Sequence, residues 1–435
     1  MEAEIVHYNI PLWAIIPFVL MLLSIAICPL IIPEWWEKNK NKLLVSLLLG
    51  IPTAIWMIAK GLSANLAHQL IFDYIPFIIL LGSLFTITGG IHLKGDIEAK
   101  PTNNLMFLLI GAVLASFMGT TGAAMLLIRP LITTISQRKY KTHTILFFIA
   151  IVANCGGLLT PLGDPPLFLL YLRGAPFTWF LNLSKEWAFV NGMLLLMYFL
   201  ADTYYYKKES PEDISFDKTN KEPLKLVGKL NFIALLGVVA SVAFLNPHYI
   251  PAMENNEYLG FIREGAMLLC ALSSLYFTPK QIRQDNFFTW HPILEVAFLF
   301  LGIFTTMTPT LMYLESNAAS FGLSEPWHFY YATGALSAFL DNAPTAISFY
   351  QLAYGLASAH TGTLVAGISE QLLAAISLGA VLFGSMTYIG NGPNFMVKSI
   401  AEENKIKLPS FFGYMFKFSI IVLLPVYILT QLIFL

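Results

Sequence analysis

The sequence predicts an all-α polytopic membrane protein, with about ten transmembrane helices and two re-entrant hairpins in two inverted-topology repeats. Three observations carry this expectation. The 435 residues are 57% hydrophobic and only 12% charged, about half the ~25% charged share of a soluble domain. Apolar runs of bilayer length recur along the whole chain, roughly 20 residues being needed to span. Finally, two kinds of polar interruption each occur twice, about half a chain apart. Ala115-Ser116-Phe117-Met118-Gly119-Thr120-Thr121-Gly122 pairs with Ser337-Ala338-Phe339-Leu340-Asp341-Asn342-Ala343-Pro344 at an offset of 222 residues. Thr160-Pro161-Leu162-Gly163-Asp164-Pro165-Pro166-Leu167-Phe168 pairs with Thr387-Tyr388-Ile389-Gly390-Asn391-Gly392-Pro393-Asn394-Phe395 at an offset of 227.

In chain order, spans are expected at 11–32, 43–60, 74–91, 144–172 and 187–206 in the first half. The second half has them at 230–244, 259–277, 293–311, 368–397 and 411–434. The segments 103–135 and 327–354 are expected as hairpins of two half-helices meeting at an unwound tip. A single long kinked helix is the alternative. The spans 144–172 and 368–397 carry Gly, Pro, Asp and Asn at their centres and are expected to be broken. Unwound backbone at membrane depth is tolerated only where protein buries it or a cavity solvates it. Paired interruptions in corresponding positions of two halves point to a transporter's midplane site.

Charge placement supports the hairpins. With ten spans and two returning hairpins, nineteen of the 25 Lys and Arg fall on one face, while Lys60, Arg173, Lys185 and Arg263 fall on the other. The positive-inside rule makes the rich face cytoplasmic and puts both termini outside. Five spans plus a hairpin give each half an odd number of crossings, so residues 1–206 and 230–435 form inverted repeats. The polar stretch 207–229 is the cytoplasmic linker. The acidic start (Glu2, Glu4) and the length of the run 11–32 predict no removable signal peptide. Cys28, Cys155 and Cys270 lie in apolar segments and give neither a disulfide framework nor metal-ligand spacing.

The candidate site residues lie in the interruptions. Asp341 and Asn342 fall at the tip of the second hairpin. A carboxylate at the bilayer centre costs roughly 2.5–3.5 kcal/mol on insertion scales, so an intramembrane acid points to function. Asp341 also fits as the N-cap of the following half-helix. Asp164 lies among three prolines that free backbone carbonyls, and hard oxygens suit Na⁺ or a proton relay. A membrane-surface turn is the structural alternative, and the mid-run position of its counterpart Asn391 argues for burial. Thr120, Thr121, Thr160, Thr387, Ser337 and Thr345, with Ser116 and Ser385, could supply hydroxyl ligands or ordinary helix–helix hydrogen bonds. Glu295 and Asp73 are equally a relay acid or a solvated helix-start acid. Arg129 either pairs an acid in the core or snorkels to the cytoplasmic face.

At these residues the chain resembles the ion transporter superfamily. The segment Ser337–Thr345 is similar to the second-hairpin signature of NhaD-type Na⁺/H⁺ antiporters, Thr160–Pro165 to their Gly-Asp element, and Leu294–Gly302 to their acidic helix. The chain also resembles a branch named for citrate transport. The resemblance covers essentially the whole chain and implies a homodimer in a bacterial inner membrane, without a cofactor. It departs in the first hairpin, where Gly119-Thr120-Thr121 stands in place of an acid. The Ser-Asn-Thr tips of dicarboxylate carriers are absent too.

Secondary active transport is therefore expected, with Na⁺/H⁺ antiport at Asp341 and Asp164 favoured. A Na⁺-coupled citrate or dicarboxylate symporter is the alternative, since the interruptions contain no Lys or Arg to meet an anion. An enzyme is not expected, because none of the eight His has ligand spacing to another His, Cys or acid within a span. A passive pore would not need paired breaks, and no basic cluster with interleaved aromatics suggests nucleic acid.

Overall fold

The computed structural model describes residues 10–219, 221–357 and 363–435. It is an all-α polytopic membrane protein. Among the described residues eight helices are long and apolar enough to cross a bilayer, and Leu230–Phe244 and Glu370–Met386 add shorter apolar helices.

The first half runs α1 (Ile16–Ile31), α2 (Asn39–Ala59), α3 (Ser63–Thr88), α4 (Pro101–Met118), α5 (Thr120–Thr134), α6 (Thr142–Ile151), α7 (Pro165–Leu172) and α8 (Ser184–Tyr206). The second half repeats that order as α9 (Leu230–Phe244), α10 (Phe261–Phe277), α11 (His291–Ser316), α12 (Pro326–Ser337), α13 (Asn342–Gly355), α14 (Glu370–Phe383), α15 (Gly392–Glu403) and α16 (Phe411–Phe434). Proline starts α4, α7 and α12, where its missing N–H costs nothing.

The helix boundaries fall where the backbone cannot continue. Gly119, at φ +81° and ψ 148°, joins α4 to α5 with no other intervening residue. That conformation is essentially open only to glycine, so the reversal is written into one residue. Both ends of the α4–α5 pair lie together, because Arg138 and Gln137 after α5 and Ala99 before α4 share partners. The α12–α13 pair behaves likewise: Gly355 at the end of α13 abuts Glu315 and Ala318, just ahead of α12.

The connecting segments sort into two ends of the molecule. At one end Asn39 bonds the His291 carbonyl, Lys94 pairs with Asp285, Asn286 bonds Gly89 and Ile91, and Thr142 bonds the Lys407 carbonyl. Most of the Lys and Arg lie here, and this is called the basic end below. At the other end Arg173 pairs with Asp73, His68 with Glu257, and Gln351 bonds Glu315.

The segment between the halves is more than a tether. It carries a short helix, Pro211–Thr219, and a strand, β2 (Glu222–Val227), which pairs antiparallel with β1 (His92–Asp96). Asp217 accepts from the Ala99 amide and Gln137, and Lys221 bonds Glu98. A second two-stranded turn joins Leu364–Val365 to Ile368–Ser369. Period-two alternation in these pieces is too short to stand out from helical sequence.

Packing crosses between the halves. The returning leg α13 packs on α7, and α5 packs on α15. Each hairpin therefore leans on the broken helix of the other half, and the four unwound segments are drawn to one place.

Candidate functional site

The two broken helices share a backbone device. Before each break lies a 3₁₀ turn, Cys155–Leu159 in one and Gly384–Met386 in the other. Thr160 follows the first in an extended conformation (φ −144°, ψ 160°), and Thr387 follows the second (φ −139°, ψ 169°). Thr160 Oγ1 donates to the Ser116 carbonyl and Thr387 Oγ1 to the Ala338 carbonyl, so each hydroxyl ties the break to its own hairpin. Each oxygen also receives the amide two residues on, from Leu162 and Ile389, at 3.2 Å. Gly163 and Gly390 pass so close to neighbouring backbone that a Cβ would lie 1.9 Å from the Gly157 carbonyl oxygen and 2.6 Å from that of Gly384. The half-helices α7 and α15 then start from Asp164 and Asn391, again with near-identical angles (φ −143°, ψ 143° and φ −149°, ψ 143°).

Asp164 is the junction. It is 1% exposed, and its carboxylate accepts from Thr120 Oγ1 at 2.9 Å, Asn391 Nδ2 at 2.9 Å and Asn342 Nδ2 at 2.6 Å. These donors come from the first hairpin tip, the second broken helix and the second hairpin tip. One carboxylate thus binds all four interrupted elements. A buried charge is sustained only when it is hydrogen-bonded in this way. The Thr120 amide adds a 2.8 Å bond to the Gly163 carbonyl.

Asp341 plays a different part. It is half-buried, caps α13 through a 3.0 Å bond from the Ala343 amide to Oδ1, and borders a cavity of about 110 Å³. One water needs roughly 10–15 Å³ of such space, so the cavity holds several waters or a small solute. Its walls include Thr120, Thr121, Gly122, Gly163, Asn342, Asn391 and Gly392, and Asp341 is the one charged residue among them. An apolar side of the wall comes from Leu81, Leu84 and Phe85 of α3 and Pro292, Ile293, Val296 and Phe300 of α11. Those positions lie toward the basic-end termini of the two helices, so the cavity reaches from the junction toward that end.

Four half-helix N-termini (α5, α7, α13 and α15) meet at this cavity. Each carries the positive end of a helix dipole, equivalent to about +0.5 charge. They are not equal as donors. Prolines at 165 and 166 remove the first amides of α7, and Asp341 occupies one at α13. The Thr121 and Gly122 amides, in the first turn of α5, lie beyond the reach of intrahelical acceptors and have no acid capping them.

The other sequence-derived candidates are structural or lie elsewhere. Ser337 Oγ bonds the Ala380 carbonyl, Thr345 Oγ1 bonds the Asp341 carbonyl, Ser116 Oγ bonds the Gly156 carbonyl, and Ser385 bonds Leu382 and Tyr427. Glu295 pairs with the buried Lys42 of α2 at 2.6 Å. Asp73 pairs with Arg173 at 2.7 Å. Arg129 stacks over Phe287 at 4.4 Å near the basic end and has no carboxylate partner among the described residues.

Asn154 escapes the motif-based reading, and Asn394 lies in the second interruption without a role assigned to it. Asn154 Nδ2 donates to Asn394 Oδ1 at 2.7 Å, and Asn154 Oδ1 accepts from Asn391 at 3.2 Å. Asn394 also bonds the Gly384 and Thr387 carbonyls. An asparagine inside an apolar run ahead of Gly156-Gly157 was the available signal. The hydrophobic cavity wall of α3 left none, because its residues are those of any span, and Val296 and Phe300 of α11 lie in the segment Leu294–Gly302 without having been read as cavity residues.

Comparison with known proteins agrees with a membrane carrier. Over 132 residues, 28% of this chain, the sequence is 29% identical to "Inner membrane protein YbiR" of Escherichia coli (strain K12). That match spans 36% of the relative's length. The model of a membrane-transporter family described as "Putative citrate transport" matches residues 7–435, and the chain belongs to that family.

Proposed function

We propose that the protein is a secondary active carrier of a small carboxylate, with citrate the first solute to test, coupled to Na⁺ or H⁺ at Asp341. The observation that carries this reading is the meeting of four half-helix N-termini at one cavity whose only charged wall residue, among the described residues, is Asp341. Helix N-termini are ready anion sites, and the uncapped start of α5 at Thr121 and Gly122 offers the donors. Four dipole ends contribute about +2 in all, which the carboxylates of Asp164 and Asp341 offset. An anion then gains little until a cation enters. Protonating Asp341, or placing Na⁺ on its carboxylate, leaves about one unit of the dipole charge uncompensated and raises anion affinity. By linkage the anion raises cation affinity equally, and that reciprocity is the coupling.

Inverted repeats and alternating access fit this scheme, with the basic end in the cytoplasm of a bacterial cell, the protein in the inner membrane and the cavity facing inward. A Na⁺/H⁺ antiporter is the second reading. It is favoured by one observation: no Lys or Arg lines the cavity among the described residues. Proton and Na⁺ could then compete at Asp341 with no solute at all.

Purified protein in proteoliposomes separates the two. Cation-gradient-driven uptake of labelled citrate supports the symporter. Collapse of a preset pH gradient by Na⁺, with no citrate uptake, supports the antiporter.

A further inference from the structure

The eight residues of α7 link the junction to the far end of the molecule. At its start stands Asp164. At its other end, roughly 12 Å away at 1.5 Å per residue, Tyr171 and Arg173, two residues apart, are tied to side chains of α3 and α10. Arg173 Nη2 donates to Asp73 Oδ2 at 2.7 Å and to Gln69 Oε1 at 3.1 Å, both on α3. Arg263 of α10 donates to the Tyr171 hydroxyl at 3.2 Å, and that hydroxyl donates to the Val242 carbonyl at 2.8 Å. Arg263 is itself paired with Glu264. Two of the few cations at this end are thus spent on the terminus of one short helix.

The arrangement has the marks of a contact made to be broken. Gln69 and Asp73 sit in a π-helical turn, Gln69–Tyr74, that interrupts α3. Such turns occur often at functional sites. Three buried polar atoms of the cluster, Gln69 Nε2, Arg173 Nε and Glu264 Oε2, have no partner among the described residues. A buried polar network left partly unsatisfied is not at its best arrangement, so another position of α7 can compete with this one. The returning leg α13, which packs on α7, is tied at the same end by Gln351 Nε2 to Glu315 Oε2 of α11, 2.6 Å away. The cavity, by contrast, extends toward the basic end.

We infer that the Asp73–Arg173 pair, supported by Gln69 and by Arg263 on Tyr171, is a latch that holds α7 closed at the end opposite the basic loops and must release for the cavity to open there. This inference rests on the reading of the protein as an alternating-access carrier, and its test needs no transported solute. A cysteine placed at Thr121 (Thr121→Cys) is labelled with a membrane-impermeant maleimide from the face opposite the basic loops, with the same chain lacking that cysteine as blank. Asp73→Asn should raise the labelling rate on the order of tenfold, within the usual range of coupling between sites. The swap Asp73→Arg with Arg173→Asp should bring it back toward the parent value. If Asp73→Asn is recovered only misfolded, Gln69→Ala removes the bond from Arg173 to an uncharged acceptor and should give a smaller increase. Unchanged labelling in correctly folded Asp73→Asn or Gln69→Ala overturns the latch. Increased labelling in a protein that carries no citrate overturns the carboxylate proposal and leaves the latch standing.

Discussion

The breaks at 160–164 and 387–391 have the same backbone and opposite chemistry. Both use a threonine hydroxyl to hold the hairpin carbonyl, and both thread a glycine past backbone where no Cβ fits. Both then open a half-helix at nearly the same angles, yet one starts from a carboxylate and the other from an amide. The hairpin tips diverge the other way, with Gly119 in the first half and Asp341 in the second. Of four equivalent tips, two carry acids, one from each half. Asp164 is surrounded by donors and holds the elements together, whereas Asp341 accepts one amide and lines the cavity. The shared backbone brings the four tips together, and the unshared side chains leave one carboxylate enclosed by donors and the other at the cavity wall.

The largest effect should come from making the two breaks alike in charge. Asn391→Asp puts a second carboxylate about 3 Å from Asp164, where both cannot stay ionised. The folded protein then holds a proton that the unfolded chain gives up at a lower pH. Stability should therefore be nearest to normal below about pH 4, where unfolded carboxylates are protonated, and fall progressively as pH rises above it. Thermal unfolding in detergent at several pH values reads this. Asp164→Leu should be as damaging at every pH, at roughly 3–5 kcal/mol, because three buried donors lose their acceptor.

How much of this was legible in the sequence differs by element. Gly119, Asp164, Asp341 and Asn391 stand out because polar and helix-breaking residues are costly inside apolar runs. The offsets of 222 and 227 then show which breaks correspond. That Thr120, Asn342 and Asn391 all converge on one carboxylate was not legible, since it depends on α13 leaning on α7 and α5 on α15. Glu295 and Asp73 looked ambiguous because their partners, Lys42 and Arg173, lie 253 and 100 residues away. Thr160 and Thr387 looked like possible ligands, but a hydroxyl beside a freed carbonyl serves the backbone first.

An intermediate effect should separate the two hairpin tips. Gly119→Ala forces a side chain into φ +81° and should cost about 1–3 kcal/mol, seen as a lower unfolding temperature. Asp341→Asn at the corresponding tip should leave stability almost unchanged, because asparagine caps a helix about as well as aspartate. The smallest effect tests the shared device itself. Thr160→Val and Thr387→Val should each cost about 1 kcal/mol, the net worth of one hydrogen bond, and the two values should agree. A loss confined to one half would show that the breaks share a shape without sharing its cause.

The account's central claim, that anion and coupling cation meet at one cavity through Asp341, is tested most directly by citrate affinity. Isothermal titration of the purified protein across pH and Na⁺ concentration should give wild-type binding that tightens on acidification or with added Na⁺. In Asp341→Asn, whose charge is already removed, binding should persist and lose that dependence. Citrate binding to Asp341→Asn with the full wild-type cation dependence would contradict the claim.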